Sequence, residues 1–415
     1  MTLFNKIIAV SLVCISVNAV TLKDLITNTI ENNQNVQSLK LTNQSYNKSY
    51  ESVKNSYNPN LIVGVNYSQI DGEQRAVQIG KTTVGFAKFS CDLYNGNKNI
   101  SLKKQKEYEY KNILENTNTI IRETLLQVIT LYFQEKTVEE NIKVLNEKSI
   151  ALKAQYERIK TKYNLKMTTI DEVLKFQSEY ETNQYNIDEL EYNKEELLQT
   201  LELLSHTSID TLQKCQFKEV GTLVYKPSSS IEALQFAIKA QKEGKNIIQS
   251  SLRPQIKLED SYNIYNYDDY NTQILKDLPN KQNQLMLSIN FKLFDTSSKQ
   301  KIEAARLTKL ASVKKLEYLK AQEKMKFNLA KKKLHTLKIK IKSLKSSVEM
   351  ANSVYDMVKI KYENEVVDNI TYLDALSKKI YNIALYKQAL NDYEIAKANY
   401  YFSSGISLKQ ILSMF

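Results

Sequence analysis

Between residues 334 and 362 apolar side chains recur at steps of three and four without a break: Leu334, Leu337, Ile341, Leu344, Val348, Ala351, Tyr355, Val358 and Tyr362. A period of 3.5 keeps one apolar seam on one side of a helix and predicts coiled-coil packing. Ile121, Leu125, Val128, Leu131, Val138, Ile142, Leu145, Leu152, Tyr156, Ile159 and Tyr163 keep the same rhythm with gaps. A second period, of two, marks strands. Leu285, Leu287, Ile289, Phe291 and Leu293 alternate with Met286, Ser288, Asn290 and Lys292, and Leu61, Val63, Val65 and Tyr67 form a similar face. Residues 84–93 and 256–262 read as two further strands, broken in pattern by Lys88 and Asp260. The connections, about 68–82 and 263–283, are polar and long for hairpins.

The chain repeats itself. Pro59 followed by an alternating stretch is answered by Pro254, residues 89–95 (FSCDLYN) by 289–295 (INFKLFD), and 156–163 (YERIKTKY) by 355–362 (YDMVKIKY), at offsets of 195, 200 and 199. Three matches in one order at one offset make the chain two copies of one unit. No Gly or Pro occurs from 97 to 220 or from 280 to 404. Each unit is therefore expected to be a helix, a strand pair and a long helical stretch. One unbroken helix of that length exceeds ordinary lengths. Reversals are expected at Asn164-Leu165-Lys166 and Asn364-Glu365-Val366, each hairpin having two arms of about 60 residues, on the order of 90 Å.

Lys6, the apolar run from 7 to 17 and Val17-Asn18-Ala19 read as an export leader cleaved near Val20. The expected division is a leader at 1–19, a first repeat at 20–204 (strands about 61–94, hairpin about 97–204) and a linker at 205–230. A second repeat at 231–404 (strands about 256–294, hairpin about 296–404) and a tail at 405–415 follow. No later segment has ~18 consecutive apolar residues, so entry into a membrane would have to use strands. Four strands cannot close a barrel, which needs about eight, and open edges in lipid leave backbone groups unpaired. The chain is expected to oligomerise, and three copies supply twelve strands. The fold class is mainly α, with duplicated helical hairpins and four strands contributing to a trimeric twelve-stranded barrel.

The 415 residues, 42% hydrophobic and 25% charged, suit a folded protein. Between 296 and 361 there are 18 Lys or Arg against 5 Asp or Glu. Such a run can bind nucleic acid, but the leader, the heptads on the same residues and the lack of a recognition module favour a solvated helix face; the alternative is that part of the run lines a tube or contacts an acidic partner surface. Lys331, Lys332 and Lys333 are its densest point. After cleavage only Cys91 and Cys215 remain, and whether they pair is open. His206 and His335 are the only histidines, and no metal-ligand cluster, nucleophile elbow or phosphate loop is present, so no catalytic residue, metal or cofactor is expected. Tyr67, Tyr262, Tyr265, Tyr267 and Tyr270 would suit a membrane-interface belt. A coiled-coil tether or adhesin is the competing reading, which leaves the strand pairs unexplained.

Val20-Thr21-Leu22-Lys23-Asp24-Leu25 with Glu31-Asn32-Asn33, Pro59 and the strand after it, Asp92-Leu93-Tyr94-Asn95-Gly96-Asn97 and Leu373-Asp374-Ala375 stand in the order of motifs of another group. Through them the chain resembles the TolC-like outer-membrane efflux proteins over essentially its whole mature length. The resemblance implies a homotrimer in outer-membrane lipid with a long periplasmic helical barrel, and a periplasmic adaptor and an inner-membrane transporter as partners. It makes the reversals, 160–173 and 361–375, the periplasmic tips. Asp374 falls on an acidic ring position, Thr371 on a neighbouring one, and Tyr362 and Glu172 on residues that hold the tip closed, with Asp368 in the same constriction. The lock's Arg falls on Val367. Asn164, Leu165, Lys166, Asn364, Glu365 and Val366 become the adaptor contacts. Family tips carry Gly where this chain has Lys166 and Glu365, a departure that bears on docking.

Overall fold

The computed structural model describes residues 20–55, 59–71, 78–217, 221, 223–406 and 410. The expected leader, Tyr57 and Asn58, and most of the tail lie outside the described residues. The elements are α1 (Leu22–Asn32), α2 (Gln34–Lys54), β1 (Asn60–Gln69), β2 (Lys81–Asn95), α3 (Lys98–Asn164), α4 (Ile170–Ser205), α5 (Ser229–Ser250), β3 (Gln255–Asp268), β4 (Lys281–Asn290), α6 (Thr296–Glu363) and α7 (Asn369–Ser403). Helix, strand pair, long helix and shorter helix thus occur twice. The reversals fall where the sequence puts them. The arms are unequal, however: α3 has 67 residues and α4 36, α6 has 68 and α7 35. The equal-arm estimate fails because the turns lie nearly two-thirds of the way along the helical stretches 98–205 and 296–403.

Two compact units form, and neither is one repeat. One comprises Leu39–Asn118 and Ser229–Ala321, the other Met1–Ser38, Thr119–Ser228 and Gln322–Phe415.

The first holds a four-stranded antiparallel sheet in the order β1-β2-β3-β4. Pairing runs from Asn60↔Ser90 to Gln69↔Lys81, from Asn95↔Gln255 to Lys81↔Asp268, and from Gln255↔Asn290 to Ile264↔Lys281. Residues opposite each other share a face. One face is therefore Leu61, Val63, Val65 and Tyr67 of β1, Phe89 and Ala87 of β2, Ile256, Leu258, Asp260, Tyr262 and Ile264 of β3, and Leu285, Leu287 and Ile289 of β4. The other face is polar and carries Lys88, whose ammonium lies 3.0 Å from Glu259, itself 2.7 Å from Lys257. Gly64 leaves room there for Phe86, whose ring a β-carbon would meet at 2.7 Å.

Three expectations change. Phe291 and Leu293 lie beyond β4, because the β3 ladder starts only after Pro254, which has no N–H to give. The long connections shrink, since backbone pairing continues past the apolar residues to Gln69, Lys81, Asp268 and Lys281. Tyr67 and Tyr262 lie on the apolar face, but Tyr265 and Tyr267, stacked at 5.6 Å, lie on the polar one and cannot join a belt with them.

The helical unit has two cores. The larger joins Leu22, Leu25 and Ile26 of α1, Leu125, Val128, Ile129, Tyr132 and Phe133 of α3, and Tyr400 and Tyr401 of α7. Each such side chain contributes about 1.5–3 kcal/mol on burial. The helix α1 starts at a capping box, where Thr21 accepts from the Asp24 N–H at 3.1 Å and Asp24 accepts from the Thr21 N–H at 3.1 Å. Val20 is bound on both sides, donating to the Thr211 carbonyl at 2.9 Å and accepting from the Gln213 N–H at 3.0 Å. Arg122 donates to the carbonyls of Phe402, at 2.8 Å, and Ile406. His206 is the left-handed cap that ends α4. Both Cys91 and Cys215 are free thiols. Among the described residues no helix is long and apolar enough to cross a membrane.

Candidate functional site: the paired helix tips

The second core lies at the reversals, where Val144, Leu152 and Ile159 of α3, Val173 and Phe176 of α4, Tyr355, Val358 and Tyr362 of α6, and Tyr372, Leu373 and Leu376 of α7 are buried together. The 3.5-residue seam supplies Tyr355, Val358 and Tyr362. Both turns end the preceding helix in one way. Met167 and Lys166 donate to the carbonyls of Lys162 and Tyr163 at 2.9 and 2.8 Å, and Val366 and Glu365 to those of Lys361 and Tyr362 at 2.8 and 3.1 Å. Lys166 and Glu365 take the left-handed conformation, with φ of 59° and 62°. The missing glycines are thus missing at positions that strain any other residue.

The two turns are tied together. Lys162 forms an ion pair with Glu365, and Arg158 donates to the Glu363 carbonyl at 3.2 Å while its guanidinium lies 5.4 Å from the centre of the Tyr362 ring. Tyr362 stacks on Tyr372, ring centres 4.8 Å apart, and the Tyr372 hydroxyl is 3.3 Å from that of Tyr355. Burial pushes the phenols of Tyr362 and Tyr372 up from their ordinary range; Arg158 opposes this at Tyr362, and the Tyr355 hydroxyl adds to it at Tyr372. The Lys162 hydrogen bond holds Glu365 below the usual carboxylate range.

The structure brings only some of the expected residues together. Tyr362 is buried in the cluster. Glu172, half-buried nearby, accepts from the Thr168 hydroxyl at 2.6 Å. Asp368 is the N-cap of α7, accepting from the Thr371 N–H at 2.9 Å and hydroxyl at 2.6 Å, bonds that lower its pKa. Asp374 is exposed one turn on and pairs with Lys378 at 2.7 Å. Asn164, Leu165, Lys166, Asn364, Glu365 and Val366 are exposed, and Met167, Ile170 and Ile370 add further apolar surface beside them. Val367 packs at the edge of the core, and the arginine over Tyr362 is Arg158, from the other hairpin. Arg158, Lys162 and Tyr372 escape a sequence reading. The signal for Tyr372 is that it continues the Tyr355–Tyr362 seam after the turn, which becomes visible only once the turn is closed.

Residues 25–205 match the family model described as outer membrane efflux protein. No curated protein matches the sequence. The fold is similar to a membrane protein of Pseudomonas aeruginosa, with a TM-score of 0.82 at 14% identity over 92% of this chain and 93% of that one. It is similar to the CmeC outer membrane channel of Campylobacter jejuni, with 0.83 at 14% identity over 94% and 87%. It is also similar to the open state of the MtrE outer membrane channel of Neisseria gonorrhoeae, with 0.75 at 16% identity over 93% and 89%. The class so defined is the fold of these solved outer membrane channels. The first repeat thus resembles that family's model, and the fold shared with these channels, two long helical hairpins and four strands, extends over the whole chain.

Proposed function

We propose that this protein is the outer-membrane exit duct of a tripartite efflux or type I secretion system, a passive conduit from periplasm to exterior. The observation that carries the reading is the sheet: four strands with one apolar face and outer edges, on β1 and β4, that have no strand partner among the described residues. In lipid such edges cost several kcal/mol per orphaned group. Three copies, pairing β4 of one with β1 of the next, give a closed barrel of twelve strands. Lys88, Glu259 and Lys257 then line its lumen, and the apolar face meets lipid.

The tips supply the periplasmic end. The ties from Lys162 to Glu365 and from Arg158 to Tyr362 and Glu363 hold the two turns of one chain together, and Asp374, Thr371, Asp368 and Glu172 are the polar groups nearest a constriction. The exposed Leu165, Met167, Val366 and Ile370 offer an adaptor an apolar contact despite the absent glycines. An inner-membrane transporter, reached through the adaptor, supplies the energy. The test is to isolate the protein from outer membranes and reconstitute it in planar bilayers. A heat-resistant trimer with discrete conductance is expected; a soluble monomer without conductance would end the reading.

A further inference from the structure

Beyond the tip core, named side-chain contacts in the helical unit run from α4 to α3 (Asn183 to the Leu145 carbonyl, 2.9 Å), from α3 to α7 (Glu140 to Lys387, 3.0 Å) and from α7 to α6 (Lys338 over the Tyr393 ring, 5.7 Å). That leaves α4 and α6 as the two flanks away from the tip core. Both flanks expose apolar residues at the same spacing. Tyr185 and Tyr192 of α4 are seven residues apart, with Leu174 and Leu203 eleven to either side; on α6, Met350 and Met357 are seven apart and Ile339 lies eleven before Met350. Steps of seven and eleven return to one helix face.

The flanks are opposite in charge. The helix α4 has ten Asp or Glu against two Lys, and α6 from 322 to 363 has eleven Lys against four Asp or Glu. Asp188, Glu189, Glu191 and Glu196, like Lys331, Lys332, Lys340, Lys342 and Lys345, have no ion pair within the described residues of the chain. Lys342 lies between Ile339 and Met350 along one shallow surface groove.

We infer that the α6 flank of one copy of this chain docks on the α4 flank of the next, and that opposite charge sets the direction of the ring. Two α6 flanks, or two α4 flanks, would set like charges together, so a two-fold dimer is disfavoured and a head-to-tail ring follows. With the tied turns level, α4 and α6 of neighbouring copies run antiparallel. Asp188 lies 18 residues after the start of α4 and Lys345 18 before the end of α6; Glu191 and Lys342 are each 21 residues in. Equal distance from the turns pairs Asp188 with Lys345 and Glu191 with Lys342. The basic run on α6 is then matched by the chain's own acidic helix. This inference rests on the trimeric reading above and adds which flanks meet, in which register.

The test uses two differently tagged full-length chains, co-expressed with Cys14, Cys91 and Cys215 replaced by serine, one carrying Asp188→Cys and the other Lys345→Cys. A crosslink between the two tags on oxidation is expected, and none for Asp188→Cys with Lys331→Cys, displaced by about 20 Å along the helix. In parallel, Asp188→Lys with Glu191→Lys is expected to reduce the trimer fraction, and adding Lys342→Glu with Lys345→Glu to restore it. A wild-type protein that is not trimeric overturns the duct reading. A wild-type trimer with no matched crosslink, or with reversed charges that leave it intact, overturns the flank pairing alone. Far-ultraviolet circular dichroism separates lost assembly from lost helix, and a charge-reversed chain that is helical and monomeric counts for the pairing.

Discussion

Tyr362 of α6 stacks on Tyr372 of α7 across the second reversal, ring centres 4.8 Å apart and planes 23° from parallel. Nine residues separate them in sequence, and the turn between them is held by the Glu365 and Val366 hydrogen bonds. Tyr372 is fully buried and Tyr362 nearly so, and the stack joins the two arms where the chain changes direction. Tyr372→Ala is expected to cost about 3–5 kcal/mol, the range for removing a buried aromatic side chain. Tyr372→Phe keeps the stack and loses only the hydroxyl's contacts with Tyr355 and the Gln155 side chain, about 1 kcal/mol each. Thermal unfolding of the two variants measures both, and equal losses would show that the hydroxyl, not the ring, holds the tip.

The left-handed turn residues give a second pair of outcomes. Lys166→Gly removes the steric cost of φ near +60° and loses no ion pair, so it is expected to stabilise the fold by about 1 kcal/mol. Glu365→Gly gains the same relief but gives up the ion pair with Lys162, so it is expected to be nearly neutral for stability while loosening the tie between the turns. Hydrogen exchange at 361–367 reads that loosening directly.

Much of this fold is legible in the sequence because its periods are long. Leu337 and Tyr362 sit on the seam that their spacing predicts, and the three repeat motifs make β1 the counterpart of β3 and one turn the counterpart of the other before any coordinate is known. The strand ends are not legible, because Asn263, Asn266 and Gln282 read as loop although their backbones pair. The tip residues are half legible. Tyr362 lies on a seam and stands out, whereas Arg158 and Lys162 come from the other repeat and look like any charged pair on a solvated helix. Asp368 has a role that its spacing does not announce, since the carboxylate singled out for a constriction also caps α7.

A half-buried ion cluster on α3 sets an acid limit. Burial works to raise the Glu139 carboxyl, but the hydrogen bonds and charges of Lys136 and Lys143 outweigh it and bring it down to about 2. A depressed carboxylate stabilises the fold above its unfolded pKa, ordinarily about 4.3; that contribution is lost as pH falls through about 2. Glu135 behaves oppositely. Its Oε2 is 3.4 Å from the Lys136 ammonium, within ion-pair reach, yet has no hydrogen-bond partner among the described residues, and burial raises its pKa. A raised carboxyl favours folding at low pH and loses that contribution as pH rises through its folded pKa. Glu135→Gln is therefore expected to stabilise the protein near neutral pH, by about 1–3 kcal/mol, while Glu139→Gln destabilises it there and flattens the acid limb of a melting-temperature profile.

Asp260 gives the last prediction, because it sits on the wrong face. Its cross-strand neighbours are Phe89 and Leu285, and the residues before and after it on that face are Leu258 and Tyr262. Its Oδ1 is buried without a hydrogen-bond partner among the described residues. If that face meets lipid, the carboxyl adds only a desolvation cost, and Asp260→Leu is expected to raise the temperature at which the oligomer dissociates in detergent by removing about 1–3 kcal/mol per copy. Leu258→Asp, two residues away on the same face, is expected to lower it. A carboxylate kept in an apolar environment has a use wherever its removal does harm. Should Asp260→Leu weaken the oligomer while Leu258→Asp also does, the apolar face still faces lipid and Asp260 has a partner that only assembly brings to it. Should Leu258→Asp change nothing, the face is wet and the orientation of the sheet is reversed. The two substitutions together therefore fix which side of the strands faces the membrane.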